Sequence, residues 1–432
     1  MSEPEAETAS RPARTQDFLV DGRTPARVER PQNQDELAAL LREANSAGEA
    51  VILHGGHTGI EIGNPPSRYD LALDLTALDQ IVDLEPEDFT VTVQAGISMS
   101  TLEQTLAQHG QFVPLDAPLA ERATVGGLVA KGRGGARRAR FGTVRDWLIG
   151  CSMLLPDGTP IKGGGRVVKN VSGFDLPKLF AGSFGTLGCI TQATFKVRPL
   201  PVADVTLLAP CDSFDAALEL GRAMGRDVHG LEAAVALDAE TAAQLNLDIG
   251  PALLLRIAGI GEAIDAMREI LAGRTPSGTT QQDTDPALWH AVDDLEAPVL
   301  QSGVRADDVL LRFGALPSHA PAIVAAIDTA LAGVTTQAIQ TKPRRWAYAD
   351  TGLVFAALPV GDPSQTAATI AELRGVVEAR QGALTVERAS PALKDQIDVW
   401  GDPGEGVTIM RALKTQFDPK ATLSPGRFVG GI

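Results

Sequence analysis

An α+β protein in two dissimilar parts is what this sequence predicts, and three observations predict it. After Pro199-Leu200-Pro201, apolar runs of strand length alternate with amphipathic runs of helix length. Before that point glycine is concentrated: 15 of the 70 residues from Glu121 to Ile190, against 44 of 432 in the whole chain. Finally, 432 residues suit two or three domains, and a hydrophobic fraction of 44% can fill their cores.

The elements follow in order. Residues 1–16, rich in Glu, Ala, Pro and Arg, read as a flexible polar tail without a signal-peptide core. Asn33 caps a helix whose Leu37, Leu40, Leu41 and Ala44 share a face and which Gly48 stops. Val51-Ile52-Leu53 is a buried strand running into the turn His54-Gly55-Gly56-His57-Thr58-Gly59. Phe89 to Ala95 alternates as a half-buried strand. A second helix is expected with Ser100 and Glu103 as its capping box, Leu102 and Leu106 inward, and Gly110 at its end. Two more strands, Leu148 to Leu155 and Ile190 to Val197, bracket the glycine-rich stretch. Glycine at that density disfavours helix and points to close backbone approach.

Beyond residue 200 the expected strands are 205–209, 231–237, 252–257, 309–313, 353–358 and 384–387. The expected helices are 214–224, 262–271, 320–331 and 366–379, with 273–286 as a polar loop. The divisions are therefore 17–200, 201–404, and a turn-rich closing segment, 405–432, that docks back on the folded first part.

Composition removes several functions. The formal charge of −16 and an aromatic fraction of 4% oppose nucleic-acid binding, and no apolar run is long enough for a membrane span. Cys151, Cys189 and Cys211 are too few and too scattered for a disulfide framework, a metal site or an iron–sulfur cluster. They read as thiols of a cytoplasmic protein.

Three glycine clusters carry the chemistry. The first, Gly55 to Gly59, can present successive N–H groups to an anion. It lacks the Lys-Ser/Thr of a phosphate-binding P-loop and opens no helix, because Pro65 and Pro66 follow, so a ligand-free tight turn is an equal reading. The second, Thr124-Val125-Gly126-Gly127 through Gly142, is interleaved with Lys131, Arg133, Arg137, Arg138, Arg140 and Arg145 and has no acid between 131 and 145. It reads as a diphosphate or carboxylate site, a docking patch for an acidic partner, or a solvated basic loop. The third runs from Gly163-Gly164-Gly165 through Lys169-Asn170 to Gly182-Ser183-Phe184-Gly185-Thr186-Leu187-Gly188.

In order, these motifs, with Val93-Gln94-Ala95-Gly96 and the closing Asp418-Pro419 and Ser424-Pro425-Gly426-Arg427-Phe428, resemble the vanillyl-alcohol oxidase/p-cresol methylhydroxylase (PCMH-type) flavoproteins. The resemblance covers roughly residues 26–200 and the last 25. Arg137-Arg138, Gly142 to Asp146 and Val168 to Asp175 are most similar to the FAD-binding E subunit of glycolate oxidase. It implies a two-subdomain FAD-binding fold with an α+β cap of antiparallel sheet and flanking helices. The implied FAD contacts are Gly55, Gly56, His57, Thr58, Gly59, Thr124, Val125, Gly126, Gly127, Gly132, Arg138, Gly142, Val144, Lys169, Asn170, Gly185, Gly188 and Ile190. It further implies a small hydroxy-acid substrate, a paralogous flavin subunit and an iron–sulfur subunit as partners, and attachment to the inner membrane only through them.

His57 stands where some members bond a histidine to the flavin; the alternative is a polar turn residue beside noncovalent FAD. A second covalent link is excluded, since Arg122 and Ala123 occupy the position of its cysteine. Oxidising a 2-hydroxy acid needs a cation for the carboxylate and a base for the hydroxyl proton. Arg344 and Arg345 are the cap candidates for the cation; the bland alternative is an exposed strand end. The cap histidines His229, His290 and His319 lack metal-ligand spacing, a departure from catalytic relatives. Three readings follow: an FAD subunit working within a complex, a self-sufficient dehydrogenase or oxidase of a small hydroxy acid or polyol, and a scaffold with structural FAD.

Overall fold

A computed structural model describes residues 14–166, 173–297, 308–332 and 342–432. Lys169, Asn170 and the first thirteen residues of the expected tail lie outside that set. Thr15–Phe18 already form a short 3₁₀ turn with Phe18 buried.

Two sheets occupy the first part. Arg27–Glu29, Leu71–Asp74 and Val51–His54 form a parallel three-stranded sheet with Leu71–Asp74 central. The helix Gln34–Ala47 covers it, burying Leu37, Leu41 and Ala44. Its ends are as predicted: Asn33 accepts from the Glu36 amide, and Gly48 turns left-handed at φ 72°. The second sheet is antiparallel and five-stranded, in the order Ile81–Glu85, Thr90–Gln94, Cys189–Lys196, Leu148–Leu154, Pro160–Gly164. Thr90–Gln94 is buried on both faces, not one, because Thr92 bonds Thr194 across the ladder (2.9 Å) and so satisfies its hydroxyl.

Two helix expectations need correction. Ser98, not Ser100, caps Met99–Ala107, accepting from the Thr101 amide; Glu103 is thereby free to face a cavity. Thr124 caps a seven-residue helix, Val125–Lys131, inside the stretch whose glycines argued against helix. A Cβ on Gly126 would lie 2.7 Å from the Ala95 Cβ, so packing against that strand outweighs helix propensity.

The second part is one antiparallel sheet of eight strands. Its order is Thr280–Asp283, Ala203–Pro210, Ala252–Gly259, Leu231–Leu237, Arg344–Tyr348, Leu353–Pro359, Asp308–Gly314, Ala383–Arg388. All six predicted strands are present. Thr280–Asp283 lies in the segment expected to be loop, and pairs as an edge with Ala203–Pro210. Helices Phe214–Asp227, Gly261–Ala272, Ala320–Ala332 and Pro363–Glu378 cover one face. The other face carries Trp346, Tyr348 and Phe355 and packs against Ala136 of the first part.

The closing segment returns to the parallel sheet. Leu423 bridges Val51 in parallel, the Val51 amide donates to Thr422 O (2.7 Å), and the Ser424 amide donates to Val51 O (2.8 Å). Lys414, on the helix Val407–Phe417, is buried; its ammonium donates to Thr186 O (2.8 Å), Leu423 O (2.8 Å) and Asp418 (2.6 Å). No helix among the described residues is long and apolar enough to cross a membrane.

Candidate functional site

The turn after strand Val51–His54 forms the floor of a cavity of about 130 Å³. Gly55, Gly56, His57, Thr58, Gly59, Thr124, Gly127, Lys131, Ser424 and Arg427 line it, and no acid among the described residues does. Backbone crowding dictates the glycines. A Cβ on Gly56 would land on the Arg122 carbonyl, and one on Gly55 on the Thr124 hydroxyl. The amides of Gly55, Gly56, His57, Thr58 and Gly59 donate to no acceptor among the described residues. Five successive unspent N–H groups make a concave positive surface suited to an anion.

The second cluster behaves differently. The Val125 amide donates to Ile97 O (3.0 Å), Gly126 to Ala95 O (2.7 Å) and Gly127 to the Thr124 hydroxyl (3.3 Å). These glycines serve close approach, as does Gly132 (φ 68°), where a Cβ would meet the Gly182 backbone.

A second lobe, about 80 Å³, is lined by Ala95, Gly126, Gly185, Gly188 and Ile190, and shares Leu53, His54, Gly55, Thr124, Gly127 and Phe184 with the first. The structure thus brings eleven expected contacts to one double cavity: Gly55 to Gly59, Thr124, Gly126, Gly127, Gly185, Gly188 and Ile190. Val125 and Val144 are buried in the hydrophobic core beneath. Gly132, Arg138 and Gly142 do not line the cavity.

Two residues sharpen the electrostatics. The Tyr69 hydroxyl donates to Phe18 O (2.9 Å), so its only proton is spent and His54 Nε2 must donate to it (2.7 Å). His54 Nδ1 is then a bare acceptor, buried without a partner. Burial, reinforced by the charges of His57 and Arg427, holds the imidazole well below its usual pKa, so it is neutral. Arg427 is 6% exposed, donates to Ile60 O (2.6 Å) and Ile62 O (2.7 Å), and has no ion pair among the described residues. The Asp21 carboxylate, itself paired with Lys394 (2.6 Å), offsets part of this charge in the cavity wall. His57 is strained at φ 62° and lies edge-on to Phe18, its pKa lowered chiefly by burial.

Unspent amides, an orphaned buried acceptor at His54 and cationic walls free of carboxylate among the described residues all fit the FAD that the motifs imply.

The basic run is largely internal. Arg137 pairs with Asp116 (2.6 Å), Arg133 with Glu387, and Lys131 with Glu296 (3.8 Å). Glu296 and Glu387 belong to the second part, so this run joins the two. Arg344 and Arg345 are already committed: Arg344 to Asp308 and Gln244, Arg345 to Asp238 and Asp328, with its guanidinium over the Phe214 ring. Neither lines a cavity described here. Sequence reasoning missed Arg312 and Glu387; the available signal was a single charge inside an apolar strand run, Leu310-Leu311-Arg312-Phe313 and Leu384-Thr385-Val386-Glu387.

Comparison with known proteins agrees with this geometry. Residues 25–164 match the FAD binding domain family FAD_binding_4. "Glycolate oxidase subunit GlcE" of Escherichia coli (strain K12) is 30% identical over 293 residues, covering 66% of this chain and 75% of that one. "Glycolate oxidase subunit GlcD" of Bacillus subtilis (strain 168) is 34% identical over 195 residues, 45% of this chain and 42% of that protein. "D-lactate dehydrogenase" of Archaeoglobus fulgidus is 35% identical over 182 residues, covering 42% of this chain and 40% of that protein. The chain thus spans about two fifths of the length of these last two relatives. Alkyldihydroxyacetonephosphate synthase shares the fold, with a TM-score of 0.70 at 18% identity over 94% of this chain and 78% of that one.

Proposed function

Because the chain belongs to the PCMH-type FAD-binding superfamily, we propose that it is the FAD-holding subunit of a 2-hydroxy-acid (glycolate) oxidase or dehydrogenase complex. The observation that carries this reading is the run of five unspent amides in residues that share a cavity with Arg427 and Lys131 and with no acid among the described residues. In it, residues 17–200 and 405–432 form the cofactor-holding unit and 201–404 the cap.

Gly55 to Gly59, Arg427 and Lys131 would receive the diphosphate, and His54 Nδ1 would accept a hydrogen bond from a cofactor hydroxyl or N–H. Gly185, Gly188 and Ile190 would border the second lobe. Bound FAD supplies a hydride acceptor. The chain's own residues supply placement, exclusion of water by the apolar walls, and a positive field that an acidic protein cannot provide globally. Three cysteines, two of them buried, offer no cluster ligation, so electrons leave through a partner: a paralogous flavin subunit and an iron–sulfur subunit.

Absorbance of the gently purified full chain tests the cofactor; a colourless protein unable to take up added FAD would end the proposal. Glycolate added with and without the partner subunits tests the rest. Flavin bleaching only in the complex is the expected outcome, and bleaching by the chain alone marks it as self-sufficient. Flavin that remains in the supernatant after denaturation shows that His57 is not covalently linked.

A further inference from the structure

The ion pairs joining the two parts surround two groups that are not fully spent. The Arg312 side chain has no hydrogen bond and no ion pair within 4 Å among the described residues. Glu387 is 4% exposed; its Oε1 accepts from Arg133 while its Oε2 has no partner. A buried carboxylate oxygen left unpaired carries a free-energy cost that natural structures seldom leave without a use.

The strand register puts both groups on one face. Leu311, Phe313 and Val386 belong to the helix-covered core, whereas Leu310 lies in the opposite one, so Arg312 points away from the helices toward the first part. Leu310 pairs with Arg388 and Leu311 with Val386, which makes Glu387 the extra residue of a β-bulge. A bulge re-aims a side chain at the cost of ladder pairing, a device common beside binding sites. Lys131, which lines the cofactor cavity, reaches the same cluster through Glu296, and Glu296 accepts from the Tyr348 hydroxyl (3.0 Å).

The geometry points to Arg312 and Glu387 Oε2 as a recognition pair for an α-hydroxy carboxylate, the carboxylate held by the guanidinium and the hydroxyl donating to the free oxygen. The assignment rests on the function proposed above and names the side chains that would select its substrate. Chemistry matches on both ends. A guanidinium supplies parallel donors for a planar carboxylate, and an ionised carboxylate can only accept, which suits a hydroxyl. Burial alone would raise the Glu387 carboxyl, but Arg133, Arg312 and Lys131 outweigh it and hold it below its usual value, hence ionised. Burial lowers Arg312 to about 10, which leaves it charged at neutral pH. Arg344 and Arg345 cannot serve as well, since each already holds a carboxylate of its own chain.

Calorimetric titration of the full-length chain with glycolate and with acetate, which lacks the hydroxyl, tests this without turnover. Glycolate should bind about tenfold more tightly than acetate. Arg312→Gln should weaken both by roughly tenfold or more, with Arg312→Lys intermediate. Glu387→Gln should erase the preference for glycolate while acetate binding persists. Unchanged glycolate affinity in Arg312→Gln, or no binding of either acid to the wild-type chain, overturns the assignment. Flavin content, read separately by absorbance, judges the parent reading and not this one.

Discussion

Two cavities lined by described residues differ in their electrostatics. The first, at the turn Gly55–Gly59, is walled by amides, Lys131 and Arg427 with no carboxylate. The second, about 240 Å³, lies between the two parts and is lined by Glu103, Asp116 and Asp293 beside Arg137, Arg256 and His290. Both sit in one chain of charge −16, so net charge says nothing about either. What decides is local supply: unspent main-chain donors attract an anion, whereas buried carboxylates repel one and bid for protons or arginines.

Several substitutions can break or sharpen this contrast. The largest effect is expected at Gly56→Ala, where the added carbon collides with the Arg122 carbonyl. Colourless protein and a loss of about 3 kcal/mol or more by denaturant titration are expected; a flavin-replete variant would show that the turn does not shape the site.

Arg427→Met comes next. It removes a cation of the cavity wall and leaves the Ile60 and Ile62 carbonyls short of donors, costing about 1–3 kcal/mol. Flavin affinity should also fall, and its dependence on salt should weaken, in equilibrium titrations at two ionic strengths.

Glu103→Gln probes the cavity of mixed charge. Burial raises Glu103 to about 7 against 4.5 ordinarily, with Asp116 and Glu121 adding to it and Arg137 opposing. The charged form is thus disfavoured when folded: the penalty is absent below pH 4.5, grows as pH rises through 7, and is complete above it. The variant should therefore gain about 1–3 kcal/mol at pH 8 and nothing at pH 4, measured by thermal melts, with flavin affinity unchanged.

His54 carries the reverse dependence. Its folded-state pKa is lowered, so its contribution is whole above about 6.5 and is lost as pH falls. Flattening of that acid-side decline in His54→Gln checks it. Gly59→Ala should be smallest, because its Cβ would find only Lys131 Cδ at 3.9 Å and Ile62 Cδ1 at 4.0 Å. Stability should change by less than about 0.5 kcal/mol, with any effect confined to flavin binding.

Much of this was legible in sequence for physical reasons. Asn33 and Gly48 announce a helix because capping chemistry is local, and six cap strands announce themselves as apolar runs because both faces are covered. Thr280–Asp283 was not legible: an exposed edge strand has no apolar period, and only its ladder to Ala203–Pro210 makes it one. Nor was the helix beginning at Val125 legible, since Gly126 is chosen by its neighbour Ala95, distant in sequence. The turn Gly55–Gly59 could be recognised as an anion-binding shape, yet the difference between spent and unspent amides depends on partners such as Ile97 and Ala95. The same blindness favoured Arg344 and Arg345, whose carboxylate partners Asp308, Asp238 and Asp328 lie elsewhere along the chain.

Val51 exchanges backbone hydrogen bonds with Thr422 and Ser424, so the strand that launches the first glycine turn is completed by residues some 370 positions later. During synthesis the edge of the emerging first part stays unpaired until the whole of the cap, 201–404, has been made. The strand that launches the cavity turn is therefore fully paired only after the closing segment has docked.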